Sequence, residues 1–177
     1  CTGRNTPLNL QKAKTLKRPW NMCEHFRSIM VFTEKVQNQK ILLVHNTFTE
    51  AEDIIVATSS HHKLYWCFCP QANWFIEKRL PNIPLFIEQG LKCTLGTDSL
   101  ASNHDLSILE EMKLIKAHYP QIKTTTLISW ACENGAEFLE NEELGKVEIG
   151  KNCGLNQISN LDANAELSQG SKIKRLI

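Results

Sequence analysis

The sequence predicts an α/β fold built on a parallel sheet, and three observations carry that prediction. Short apolar runs at Ile41–Val44, Leu64–Cys69 and Lys92–Leu95 read as strands, the first as one buried on both faces. Helix-patterned segments stand between them, so strand, helix, strand, helix, strand alternate from Ile41 to Asp98 at close to the ~30-residue length of a βαβ unit. Past Glu148 the texture changes to short strand-like pieces divided by Gly and Asn, which separates residues 1–148 from a small β appendage over 149–177.

A chain of 177 residues can bury one sizeable core, with or without an appendage. It falls short of the ~250 residues of a complete eight-fold βα barrel. Lys and Arg number 20 against 19 Asp and Glu, with no long block of one sign, which argues against nucleic acid or an anionic membrane surface as a partner. No apolar segment approaches the ~18 residues that span a bilayer. The 7 cysteines include no Cys-x-x-Cys pair, and no signal-like run opens the chain, so they read as reduced thiols of a cytoplasmic protein. Cys67 and Cys69 share one face of a strand and read as buried apolar side chains. Because the chain opens on Cys1, a natural start upstream is expected.

In chain order, Leu16 to Phe32 predict a loop and then a helix ending near Lys35. After the Ile41–Val44 strand and His45-Asn46-Thr47, a helix capped by Thr49 should run to Ser59-Ser60, with Glu50, Glu52 and Asp53 favouring its positive end. His61 and His62 read as a solvated cap at its other end. Pro70 ends the second strand, because proline has no N–H to give a ladder. Residues 73–79 and 84–89 read as short helical pieces, the latter stopped by Gly90. Asp105 is a candidate cap for a helix whose stripe is Ile108, Leu109, Met112 and Ile115. Pro120 separates it from a helix over about 125–133, with Asn134-Gly135 as an interruption or an end.

In a parallel barrel, reactive groups sit at the carboxyl ends of the strands, which is where His45 and Asp98 stand. An ionisable group brought there by a buried strand needs a metal or a partner charge to compensate it. The same positions also suit a hydrogen-bonded strand-end histidine and a turn-capping aspartate. Asn73 is either a wall residue or a turn former bonding its own backbone. His25, His104 and His118 look like surface residues, and none of the 6 histidines forms a His-x-His pair. A magnesium-binding, phosphate-handling reading of Asp98 is weakened because no Gly-rich loop precedes a helix.

The segments Leu43-Val44-His45-Asn46-Thr47, Cys69-Pro70-Gln71-Ala72-Asn73, Leu95-Gly96-Thr97-Asp98-Ser99-Leu100-Ala101-Ser102-Asn103, Ile108-Leu109-Glu110-Glu111-Met112 and Asn134-Gly135-Ala136-Glu137-Phe138-Leu139 resemble, in this order and spacing, the amidohydrolase superfamily. The branch is the one with chlorohydrolases and nucleobase or S-adenosylhomocysteine deaminases, and the resemblance covers about residues 41–151. It implies the C-terminal portion, about strands 6 to 8, of a TIM-like (β/α)8 barrel, followed by a small β-sandwich segment. It also implies a divalent metal, zinc first, that activates water to hydrolyse a C–N bond of a small cyclic substrate.

On this reading Asp98 binds metal and takes a proton from the attacking water. His45 contacts that water or the substrate, or is itself a ligand, while Asn73 and Ser99 are the candidates for substrate binding. The family also draws a His-x-His from its first strand and a His from its fifth, which have no counterpart here. The isolated chain should therefore hold little metal, turn nothing over and associate through its open sheet edges. The alternative is a catalytically silent partial barrel that pairs with another chain; a homo-oligomer and an N-terminal half supplied from elsewhere are the partners expected.

Overall fold

The computed structural model describes residues 39–177. The helix expected to end near Lys35, and His25, lie outside these residues. Glu50–His62 belongs to one compact unit, while Gln39–Thr49 and Lys63–Ile177 form another.

In the first unit, helix α1 (Ala51–Ser60) is capped by Glu50 rather than Thr49. The Glu50 N–H donates to Asp53 Oδ2 at 2.9 Å, closing a capping box one residue later than expected. His61 is the C-cap and is buried, not solvated; only His62 is exposed.

The second unit is organised on a parallel sheet of three strands, β1 (Ile41–Val44), β2 (Leu64–Phe68) and β3 (Cys93–Leu95), in the order β1-β2-β3. Ile41 pairs with Leu64 and Val44 with Cys67; Trp66 pairs with Cys93 and Phe68 with Leu95. The α/β class and the parallel sheet are thus as the apolar runs predict. β1 is not buried on both faces, however: Ile41 is buried, but Val44 is 45% exposed. An apolar run reports composition and not neighbours, and β1 lies at the edge of the three. The central strand β2 is buried at every residue.

Two layers meet on β2 because its side chains alternate. The helices after β2 and β3 include α2 (Pro70–Glu77), α3 (Ile83–Glu88), α4 (Ile108–His118) and α5 (Thr124–Ala131); Trp66 and Phe68 point one way, against Phe86 of α3 and, for Phe68, Trp130 of α5. Cys67 and Cys69 point the other way, clustering with Ala72 and Leu42.

Helix starts account for most departures from expectation. Pro70 ends β2 and is also the first residue of α2, so that helix begins before Asn73, in the position where a missing N–H costs nothing. Ser107, not Asp105, caps α4, its Oγ accepting from the Glu110 N–H at 3.4 Å. Helix α5 ends at Cys132, and Asn134-Gly135 lie inside α6 (Glu133–Phe138), where Asn134 Nδ2 donates to the Cys93 carbonyl at 2.7 Å.

Beyond α6 an antiparallel ribbon of β4 (Asn156–Ser159) and β5 (Lys172–Arg175) follows, anchored to the helical layer by Glu166. This carboxylate accepts from Lys116 Nζ at 2.7 Å, the Thr124 N–H at 2.7 Å and Thr124 Oγ1 at 2.6 Å, and the adjacent Leu167 is buried. Lys116, followed by the two Thr124 donors, holds the Glu166 carboxyl down to about 2. A depressed carboxyl contributes stability that is present above its unfolded value, about 4.3, and lost as pH falls through the folded one. The protection of amides 166–176, taken as exchange relative to the intrinsic rate at each pH, is therefore expected to fall on acidification from about pH 4.3 to about pH 2 in the native chain. In Glu166→Gln it should show no such step, and an identical acid profile would refute the anchor.

Candidate active site

The ladder continues past the ends of the strands and carries two polar residues to one end of the sheet. The His45 N–H donates to the Cys67 carbonyl at 2.9 Å and the Gly96 N–H to the Phe68 carbonyl at 2.9 Å. β1 and β3 flank β2, so at ordinary strand spacing their ends lie about 9–10 Å apart. His45 and Asp98 nevertheless approach to 4.0 Å, Nε2 to Oδ2.

The two side chains reach across that gap from left-handed backbone: φ is 73° at His45, 59° at Asn46 and 57° at Asp98. His, Asn and Asp are among the residues that tolerate this region, though it still costs on the order of 1–3 kcal/mol for each non-glycine residue. The pair itself does not offset that cost. Its side chains are 41% and 34% exposed, and such an ion pair is worth about 0–1 kcal/mol. Strain held at two ionisable strand ends without a matching gain in stability points to function.

Neighbours fix both turns. Asn46 Nδ2 donates to the Leu43 carbonyl at 2.8 Å and the Cys67 carbonyl at 3.2 Å, tying the end of β1 to β2. Ser102 Oγ donates to Asp98 Oδ2 at 2.8 Å and leaves Oδ1 outside that bond. Below the mouth, Gly96 gives Cys67 and Cys69 their room, since a Cβ there would stand 3.0 and 3.3 Å from the two sulfurs. The two thiols share a hydrogen bond that draws Cys67 down to about 7, while the same bond and burial push Cys69 up. They are buried free thiols, as is Cys93, raised to about 12 by burial; Cys132 is an exposed free thiol and Cys153 a half-buried one.

The structure brings His45 and Asp98 together and leaves Ser99 exposed beside them, its carbonyl accepting from the Ser102 N–H at 3.1 Å. Asn73 is bonded to the loop after β1 rather than to His45 or Asp98. It is a buried residue inside α2 and not a turn former, donating from Nδ2 to Thr47 Oγ1 and, at 3.2 Å, to Glu77. Asn46 and Ser102 carry no separate signal in the sequence beyond standing one residue after His45 and four after Asp98.

The donor set suits part of a divalent metal site. An imidazole and a carboxylate are common zinc ligands, and both are partly open to solvent. Among the described residues no three such groups converge, so these two are a fraction of the usual set of about three protein ligands. A cavity of about 700 Å³ lined by Lys40, Glu137, Lys146 and neighbours opens near the amino end of β1 and includes none of the candidate residues. No helix among the described residues is long and apolar enough to cross a membrane.

Residues 24–176 match the model of the amidohydrolase family. Over 165 residues the chain is 28% identical to a 5-methylthioadenosine/S-adenosylhomocysteine deaminase of Clostridium tetani, an alignment covering 89% of this chain and 35% of that protein. Aminofutalosine deaminase of Helicobacter pylori superposes with a TM-score of 0.61 at 21% identity, over 82% of this chain and 40% of that one. Atrazine chlorohydrolase from Arthrobacter aurescens, complexed with zinc, does so with a TM-score of 0.56 at 21% identity, over 64% of this chain and 26% of that one. The two solved structures share the fold. The first curated relatives are matched over only 26% and 35% of their length.

Proposed function

Because the chain belongs to the amidohydrolase family, we propose that it is the carboxyl-terminal part of a metal-dependent hydrolase that cleaves a C–N bond of a small cyclic substrate. In this reading β1, β2 and β3 are the sixth, seventh and eighth strands of a (β/α)8 barrel within residues 1–148, and 149–177 belong to a β-sandwich. The observation that carries it is the 4.0 Å approach of His45 to Asp98 across strained strand ends. The deaminase relatives make an exocyclic amine on a purine-like ring the first substrate class to try.

His45 and Asp98 would hold the metal, with the remaining ligands supplied from outside the described residues. A divalent metal supplies Lewis acidity, lowering the pKa of water to about 7. Asp98 accepts the proton of the attacking water and passes it toward the leaving nitrogen, so that ammonia departs. The Ser102 bond to Oδ2 keeps the carboxylate in one orientation during that transfer. As the ring carbon turns tetrahedral the displaced electron pair moves onto the ring nitrogen and returns to the ring when ammonia leaves, with the imidazole of His45 beside the attacking water. Ser99 borders the substrate at the exposed turn, and Asn73 shapes the wall between the loops after β1 and β2.

Zinc content and ammonia release from aminopurine nucleosides test this, measured on the 177-residue chain and on the product of its reading frame extended upstream. The expected result is little zinc and no release for the former and both for the latter. One tightly held zinc per isolated chain, or an extended product that binds none, would overturn the reading.

A further inference from the structure

We infer that Glu111 is a positioning residue, which holds the loops after β2 and β3 in register so that Asp98 faces His45. Glu111 lies on α4, away from the reacting groups, and is 0% exposed. Its Oε2 accepts from the Gln71 N–H at 2.7 Å, at the start of α2 directly after β2. Its Oε1 accepts from Asn103 Nδ2 at 2.7 Å, and that same Nδ2 donates to the Thr97 carbonyl at 2.8 Å. Asn103 Oδ1 accepts from the Asp105 N–H at 3.3 Å, which sets the amide with its nitrogen toward Glu111 and Thr97. The peptide whose carbonyl is gripped is the one that leads into Asp98.

Stability alone gives no reason for a carboxylate here. Burial pushes Glu111 above the ordinary carboxylate range, and the Gln71 and Asn103 bonds only partly offset it. The ionised form is therefore disfavoured by the fold relative to the neutral acid. What the ionised form supplies is two acceptor oxygens facing two donors from different loops, which a neutral amide of the same shape does not have.

Glu111→Gln separates placement from stability. With one oxygen and one NH2 group, Gln at this position either leaves the Gln71 N–H unpaired or forces Asn103 to turn its amide and release Thr97. The inference rests on the reading of Asp98 as the reacting carboxylate. Its test, however, reads backbone signals of the 177-residue chain and needs neither metal nor turnover, so the two fail separately.

The expected result is an unfolding midpoint close to that of the native chain, because relief of the buried carboxylate offsets the bond that is lost. Amide resonances of Gln71 or of residues 97–103 should shift, according to which bond is lost, and exchange of the Gln71 or the Ser102 N–H should quicken by about 10-fold or more while β2 amides hold their rates. A second variant, Asn103→Asp with Glu111→Gln, restores the 103–111 bond with donor and acceptor exchanged but offers no donor to Thr97. In it the Gln71 N–H should recover native exchange, while the Asp98 amide resonance, which reports the Thr97 carbonyl, should stay shifted. Loop amides that do not move, exchange that quickens uniformly, recovery of both signals in the double variant, or loss of the fold in Glu111→Gln would each overturn the inference.

Discussion

Asp98→Asn is expected to lower kcat/KM of the assembled enzyme by about 1,000-fold or more, because it removes both a metal-binding oxygen and the proton acceptor. The substitution isolates charge from structure. Asn tolerates the left-handed backbone that Asp98 adopts at φ 57°, and its side-chain oxygen still accepts from Ser102. The unfolding midpoint should therefore stay close to native. Loss of rate should appear in kcat more than in KM, since the group acts on the attacking water rather than on the bound ring. Steady-state ammonia release, with zinc content measured on the same preparations, checks the effect. An Asp98→Asn enzyme retaining native kcat would remove Asp98 from the mechanism and with it the functional reading of the strained turn.

The sheet was legible because its signals are local. Ile41–Val44 and Leu64–Phe68 are apolar runs of strand length, and the residues between strands carry helical patterns, so a parallel arrangement follows from the sequence alone. Edges and caps were less so. Adjacent residues compete to cap a helix, and the choice of Glu50 over Thr49 and of Ser107 over Asp105 turns on which carboxylate or hydroxyl meets an N–H in three dimensions. Pro70 stops a strand and starts a helix through one property, its missing N–H, and the pattern reveals only the first half.

For the site, the strand-end positions of His45 and Asp98 are readable, while the left-handed backbone at His45, Asn46 and Asp98 is announced by no periodicity. Glu111 is further from reach. Its partners stand 8 and 40 residues away in the chain, and such long-range hydrogen bonds have no local signature. Only the resemblance, which includes Glu110 and Glu111 in one motif, touches that residue, and it assigns it no role.

Phe68→Ala is expected to cost about 3–5 kcal/mol of unfolding free energy. Phe68 is 0% exposed in the central strand. Its ring meets Phe86 edge-on at 5.0 Å and Trp130 at 5.8 Å, so it joins α3 and α5 to the sheet through one side chain. Aromatic pairs add about 0.5–1.5 kcal/mol each beyond the area they bury. Truncation loses both pairs and leaves a void that the flanking rings fill only in part, since each is held by its own helix. The same residue connects the core to the site, because its carbonyl accepts the Gly96 N–H at 2.9 Å and so sets where β3 delivers Asp98. Denaturant unfolding should show the midpoint falling with the m-value unchanged. Phe68→Leu, which keeps most of the volume, should recover more than half of the loss. A loss under about 1 kcal/mol would mean that the helical layer packs onto β2 without Phe68; the junction would then lie at Trp66, which also meets Phe86, at 5.3 Å.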